Sequence, residues 1–313
     1  MTAKISFVIP AYNEEGVIGH ALDNLTKLKR DFSACEVIVL LDGCTDNTKS
    51  VVESYPAVDM IIEQWPRKGK TAAVDRLVKA ASADIVCIHD ADWILVYTPE
   101  WLANLVSIFN DPTVGAVADQ SPLFEEKQSG FPLHEANGWI ERWLHEFKTV
   151  KYAQRISGKL YVARMDIPFY THFFRRQAYT IGRTLCDDGE RTANILAKGY
   201  KVRIPGALMV PYVKTIYNEL TLSSFYRMRL RGHIGRRQVS QLYGIFKAGL
   251  RDFYLPFFFY LLKRLPQVKS WKVKSCVFLW WVMVLAAAVH ARFIRISTAE
   301  GWALMVKKEV KSA

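Results

Sequence analysis

The sequence predicts an α/β fold built on a mostly parallel central sheet, followed by a helical region of different character. Two observations carry this. Short apolar runs alternate with stretches of helical periodicity for about 120 residues, as strand–helix–strand units do. After Thr221 the chain turns basic, aromatic and helical. Ile5–Pro10 (ISFVIP) is an apolar run closed by proline, the pattern of a buried strand leaving its sheet. Val17, Ile18, Ala21, Leu22 and Leu25 then recur at helical spacing. Cys35–Leu41 (CEVIVLL) reads as a second buried strand, with Thr45 and Asp46 as cap residues for the helix after it. Met60–Ile62 is a short third strand, and Gly69–Ser82 is a helix with Ala73, Val74, Leu77, Val78 and Ala81 on one face. Ile85–His89 (IVCIH) is a fourth strand and Val114–Asp119 a fifth. Ala136–Phe147 has the pattern of an amphipathic helix, and Leu185–Pro205 reads as a loop, a helix ending at Gly199, and a strand. The expected division is an α/β domain over residues 1–220 and a helical region over 221–313.

The 313 residues are half apolar, 13% aromatic and carry a formal charge of +12, enough apolar material for a sizeable core and too much for a disordered chain. Five cysteines without CxxC spacing point to reduced thiols in a reducing compartment. The N-terminus reads as a first strand and not as a signal peptide. The basic excess gathers from Phe225 onward, where RMRLRGHIGRR and KSWKVK are interleaved with runs such as YLPFFFYLL. Basic residues beside Phe, Trp and Leu suit an anionic membrane surface, and nucleic acid is not the expected partner. Cys276–Val289 is 14 unbroken apolar residues, about 21 Å as a helix against a hydrocarbon core of about 30 Å. Helices lying in the interface are favoured, with a short span or a buried helical core as alternatives.

In open α/β sheets ligands bind beyond the carboxyl ends of the strands. There the polar clusters lie: Tyr12-Asn13-Glu14 after the first strand, Asp42 after the second, Asp90 and Asp92 after the fourth. If the fourth strand continued, Asp90 and Asp92 would share a face at roughly 6–7 Å, repelling by about 2–3 kcal/mol at an effective dielectric near 20. Either a cation sits there, or the two lie in water at a turn. His89, on the opposite face of such a strand, reads as structural.

The stretches VIPAYNEE, VIVLLDGCTDNT, GKTAAVDRLVKAASADIVCIHDAD, FFRRQAYTIG and DDGERTANILAKGYKV resemble, in order and spacing, the family 2 glycosyltransferases with the GT-A fold. The resemblance runs from Ile5 to Arg237 and implies an inverting transferase using a nucleotide sugar. By it, Pro10, Tyr12, Glu14 and Asp42 hold the base and ribose, with Tyr12 able to stack and the two acids able to accept hydrogen bonds. Lys70, at a helix start suited to phosphate, matches a basic position near the nucleotide. Asp90 and Asp92 match the family's DxD. Asp92 would hold Mg²⁺ or Mn²⁺ on the diphosphate, with Asp90 as a second ligand or reaching the sugar. Asp188 matches the general base, Asp187 a supporting residue, and Glu190 competes for the base role. Arg227 and Arg229 match arginines that clamp the diphosphate.

The chain departs from the family in places. Leu41 stands where another acid is usual and Cys44 where serine is, which leaves the donor base open. Tyr226 and Leu230 replace the Gln and Trp of the Gln-x-x-Arg-Trp motif, which argues against a processive polymerase. The implied function is transfer of a sugar, expected from a UDP-linked donor, to a lipid-linked or surface-glycan acceptor at the cytoplasmic membrane face. The alternatives are a polyprenyl phosphate acceptor, which needs no strong base, and a catalytically silent nucleotide-sugar-binding module.

Overall fold

The structure is a computed structural model that describes residues 4–95, 97–117, 172–203, 213–215, 222–244 and 271–294, with isolated positions between 255 and 266. A seven-stranded sheet forms its centre. Across the sheet the order is β3 (Met60–Gln64), β2 (Cys35–Asp42), β1 (Ile5–Ala11), β4 (Ile85–Ile88), β7 (Phe173–Arg175), β6 (Val114–Val117) and β8 (Lys201–Arg203). β1 pairs in parallel with β2 and β4, β2 with β3, and β6 with β8. Only β7 is reversed, antiparallel to both β4 and β6. A separate antiparallel pair joins β5 (Trp93–Leu95) to β9 (Val213–Thr215).

The central strands β1, β2 and β4 are almost wholly apolar and buried because both faces of the sheet are covered there. Their period of two divides them. Phe7, Ile9, Val37, Val39 and Cys87 face a core closed by Ile18, Leu22 and Leu25 of α1 (Ile18–Asp31) and by Trp101, Leu102 and Leu105 of α4 (Pro99–Ile108). Val8, Ile38, Leu40, Val86 and Ile88 face the other way, against Ala73, Val74, Leu77 and Val78 of α3 (Lys70–Ala80). Full burial of each large apolar side chain contributes about 1.5–3 kcal/mol, so this double layer is what holds the strand ends in register.

Several boundaries differ from the sequence pattern. β4 stops at Ile88, so Asp90 and Asp92 lie in a turn closed by Trp93 N–H donating to the Asp90 carbonyl at 3.1 Å, and not on a strand face. Helix α2 (Thr48–Glu53) starts later than the Thr45–Asp46 signal. Asp46 Oδ1 instead accepts the Thr48 N–H at 3.1 Å from two residues upstream. Cys35, Cys44, Cys87 and Cys186 are free thiols. The expected helix Ala136–Phe147 and most of Tyr254–Leu262 lie outside the described residues.

On the C-terminal side, α5 (Asp187–Ala197) is followed by α6 (Leu222–Tyr243) and α7 (Trp271–His290). Leu230 and Ile234 of α6 pack with Ala287 of α7, with Ala291 and with Leu185, just ahead of α5. Among the described residues no helix is long and apolar enough to cross a membrane.

Candidate active site

Parallel strands bring the ends of β1, β2 and β4 to one edge, and the loops leaving them are laced together. Asn13, at φ +50°, accepts the Thr45 N–H at 2.7 Å and donates to Thr45 Oγ1 at 2.9 Å. The Glu14 N–H donates to Thr48 Oγ1 at 2.7 Å. Tyr12 lies half-buried beside this seam, and the Arg67 guanidinium sits over its ring, 3.7 Å from the centroid. Such a cation–π contact is worth about 0.5–2 kcal/mol.

Asp42, 3% exposed, organises the crossing from β3 to α3. Its Oδ1 accepts from Gln64 Nε2 at 2.8 Å and from the Lys68 N–H at 2.7 Å, and its Oδ2 accepts the Gly69 N–H at 2.7 Å. The Lys68 and Gly69 amides that lead into α3 therefore go to Asp42. Gly43 is needed here: its φ is +69°, and a Cβ would lie 2.9 Å from the Arg67 backbone nitrogen.

The cation required beside Asp90 is Lys70, first residue of α3. Its Nζ is 2.7 Å from Asp90 Oδ1 and 3.5 Å from Asp187 Oδ2, so one ammonium joins the end of β4 to the start of α5. Burial alone would raise the Asp90 pKa, but Lys70 outweighs it and holds the carboxyl at about 2. Burial alone would lower the Lys70 pKa; Asp187, Asp90 and Asp188 reverse this, and the ammonium is kept firmly charged. Asp92 is half-buried in the turn next to Asp90.

Asp187 and Asp188 occupy the first turn of α5, where the helix dipole favours acids. Their environments differ. Burial pushes Asp187 up, but Lys70, Arg191 and Arg231 together bring it below the usual carboxylate range. Asp188 is pushed up to about 6, by burial first and then by its neighbour Asp187, although Arg191 pairs with it one turn along the helix. A carboxyl with a pKa near 6 is well matched to proton abstraction at neutral pH. Glu190 is 0% exposed. Its Oε2 accepts the Arg183 and Thr184 N–H groups, both at 2.7 Å, and its Oε1 accepts the Tyr243 hydroxyl at 3.1 Å.

The histidines behind β4 are neutral. His89 donates from Nδ1 to the Asp90 carbonyl at 2.9 Å, His172 donates to the Ile88 carbonyl at 3.1 Å, and burial lowers both to about 4. His89 therefore braces the turn. Of the two arginines expected at the diphosphate, Arg227 is exposed, and Arg229 acts electrostatically on His233. Arg231, within the basic run RMRLRGHIGRR, is an arginine of α6 whose charge reaches Asp187. Sequence reasoning missed Arg67 and Arg191. Arg67 begins the basic run RKGK, and Arg191 stands three residues after Asp188, a helical neighbour spacing.

The residues fit Mg²⁺ or Mn²⁺ in one specific way. Among the described residues no three His, Cys, Asp or Glu side chains converge on a common point. One or two carboxylates suffice for such ions where water and a diphosphate supply the other oxygens, and Asp92 and Asp90 offer that number at one turn.

The family model for glycosyl transferase family 2 matches residues 6–181. A probable glycosyltransferase, YdaM of Bacillus subtilis, is 34% identical over 123 residues, covering 36% of this chain and 28% of that protein. The poly-beta-1,6-N-acetyl-D-glucosamine synthase of Staphylococcus aureus is 29% identical over 127 residues, covering 40% of this chain and 30% of that protein. The chain thus spans less than a third of the length of these curated relatives. Among solved structures, the mannosyltransferase PcManGT from Pyrobaculum calidifontis, in complex with GDP-Man and Mn²⁺, aligns with a TM-score of 0.60 at 19% identity, over 94% of this chain and 88% of that one. That likeness is one of fold, and the fold is GT-A.

Proposed function

The chain belongs to glycosyl transferase family 2, and we propose that it is an inverting glycosyltransferase that moves a sugar from a nucleotide sugar, UDP-linked by preference, to a hydroxyl of a lipid-linked or surface-glycan acceptor at the cytoplasmic membrane face. One observation carries the reading. Lys70 bridges Asp90, on the donor side, to Asp187, while Asp188 beside it is held at a base-competent pKa.

The division of labour follows from position. Tyr12, with Pro10 and Glu14 beside it, takes the base and ribose, and Asp42 fixes the segment between β3 and α3 that carries Arg67 over the Tyr12 ring. Asp92, with Asp90, would hold the metal, which when bound would supply positive charge to the leaving diphosphate. Arg231 and Arg229 add cationic charge from α6, and Arg227 stands at the exposed edge of that helix. Asp188 accepts the proton of the acceptor hydroxyl as that oxygen attacks the anomeric carbon. The bond from that carbon to the diphosphate oxygen breaks on the opposite side, its electron pair leaves with the nucleoside diphosphate, and the configuration inverts. Lys70 keeps Asp187 ionised, and the Asp187 charge helps keep Asp188 basic.

The membrane location is supported by α7. Trp271, Phe278, Val282 and Val289 are exposed and recur at seven-, four- and seven-residue steps, one stripe of the helix, and Phe293 is exposed in the turn just after it. Val284, Ala287, Ala288 and Ala291 are buried on the opposite side. An exposed stripe with Trp271 at 78% accessibility, followed by Phe293 at 82%, suits an interface-lying helix in a basic chain. The test is turnover of a panel of UDP- and GDP-sugars by the purified full chain with a total lipid extract. Transfer to lipid with inversion is expected. Binding of nucleotide with neither transfer nor hydrolysis of any donor would leave only the silent binding module.

A further inference from the structure

Four consecutive backbone N–H groups precede the proposed base, and each is received by a side chain. Arg183 and Thr184 donate to Glu190 Oε2, both at 2.7 Å; Leu185 donates to Gln238 Oε1 at 2.9 Å; Cys186 donates to Thr184 Oγ1 at 3.2 Å. Tyr243, at the end of α6, donates to the second oxygen of Glu190 at 3.1 Å and lies 3.0 Å from Asn194 Oδ1. α6 also presses directly on this strap. A Cβ on Gly235 would stand 2.5 Å from the Cys186 nitrogen and 2.6 Å from the Leu185 carbonyl carbon. A fully buried carboxylate that uses both oxygens on this strap and its tyrosine brace is committed to structure. It is nonetheless only two residues from Asp188, on the same helical turn.

We infer that Glu190, Gln238 and Tyr243 are positioning residues that fix the Arg183–Cys186 strap and so aim the Asp188 carboxylate at the acceptor hydroxyl. The inference rests on Asp188 being the base. It makes α6 part of the catalytic scaffold and gives Glu190 a role other than proton transfer. Replacement of Glu190 by Gln keeps the strap. The amide oxygen receives the two backbone N–H groups, the amide NH₂ donates to the Tyr243 oxygen, and the tyrosine proton turns to Asn194.

The test compares Glu190→Gln, Glu190→Ala, Tyr243→Phe and Asp188→Asn in the full chain, using whichever nucleotide sugar turns over fastest in the panel. UDP affinity in Mn²⁺ is measured separately. Because a displacement of about 1 Å at a reacting group costs about 100-fold, Glu190→Ala is expected to lower kcat by about that factor and Tyr243→Phe by about 10-fold. KM for the donor and Kd for UDP should stay within about 2-fold in both, a split that follows if only the base is misaimed. Glu190→Gln should recover kcat to within about 3-fold of the unmodified chain, as no titrating group is lost from the reaction. Glu190→Gln as inactive as Asp188→Asn would overturn the inference and make Glu190 a proton acceptor. So would unchanged kcat in Glu190→Ala and Tyr243→Phe, or KM and Kd rising in step with the loss. Should Glu190→Ala fail to fold, Tyr243→Phe decides. An active Asp188→Asn would instead defeat the assignment of the base.

Discussion

Asp187 and Asp188 are adjacent, share one helical turn and behave oppositely, because Lys70, Arg191 and Arg231 together outweigh burial at the first while burial and its neighbour's charge govern the second. Asp188, the proposed base, is the one pushed up to about 6, by burial first and then by the Asp187 charge. A base works only when ionised. kcat/KM is therefore expected to be flat above that pH and to fall about tenfold per unit below it, checked by a pH–rate profile with a fixed donor. An activity that stays level down to pH 4 would exclude an Asp188 base. Asp42 gives a second test at this scale. Asp42→Asn must turn an amide NH₂ toward donors that need an acceptor, at a cost of about 1–3 kcal/mol per unsatisfied buried group. A lower thermal midpoint together with lost UDP binding is expected; thermal shift and calorimetric titration report the two.

The elements show where the sequence was readable. Strands β1, β2 and β4 stand out because burial on both faces leaves unbroken apolar runs, and α1 and α3 because one apolar face each gives a clean helical period. β8 was readable as the strand after the helix that ends at Gly199, but β7 does not stand out: it is three residues long, too short for a period to register, and its reversal depends on pairing partners far away in the chain. For the Asp90–Asp92 pair the sequence left a shared strand face and a turn both open. A strand pattern cannot say where β4 stops, and a stop at Ile88 converts a shared face into a turn. Two predictions belong to α6 and α7. Gly235→Ala forces a methyl into the Leu185–Cys186 backbone and should destabilise by about 1–3 kcal/mol, measured by urea unfolding. Changing Trp271, Phe278 and Phe293 together to Glu should abolish cosedimentation with anionic vesicles without lowering the thermal midpoint, since all three are exposed. Unchanged cosedimentation would move the membrane contact off this stripe.

At the scale of the whole molecule, the family resemblance named candidate residues but not their partners. Lys70 was expected as a cation near the nucleotide; its bridge from Asp90 to Asp187 could not be read, because those acids lie almost a hundred positions apart in the chain. The same holds for α6. Its basic pattern suggested a membrane surface and did not reveal that Leu230 and Ile234 are buried against α7 and the approach to α5. The boundary expected near residue 220 divides the sequence by composition, and across it Leu230 and Ile234 pack against Leu185. A cluster of carboxylates around one lysine also implies that donor binding depends on added divalent charge. Asp92→Ala should lose the Mn²⁺-dependent part of UDP affinity with the fold intact, and undiminished metal-dependent binding would remove the ion from that turn.

The central claim is that Asp188 takes the proton from an acceptor hydroxyl. Its most direct measurement is single-turnover transfer by Asp188→Asn at saturating donor, beside UDP affinity for the same protein. Loss of a general base predicts a rate lowered by about 10²–10⁴-fold with UDP affinity unchanged. A rate within a few-fold of the unmodified chain would contradict it and point to a phosphate acceptor, which needs no base.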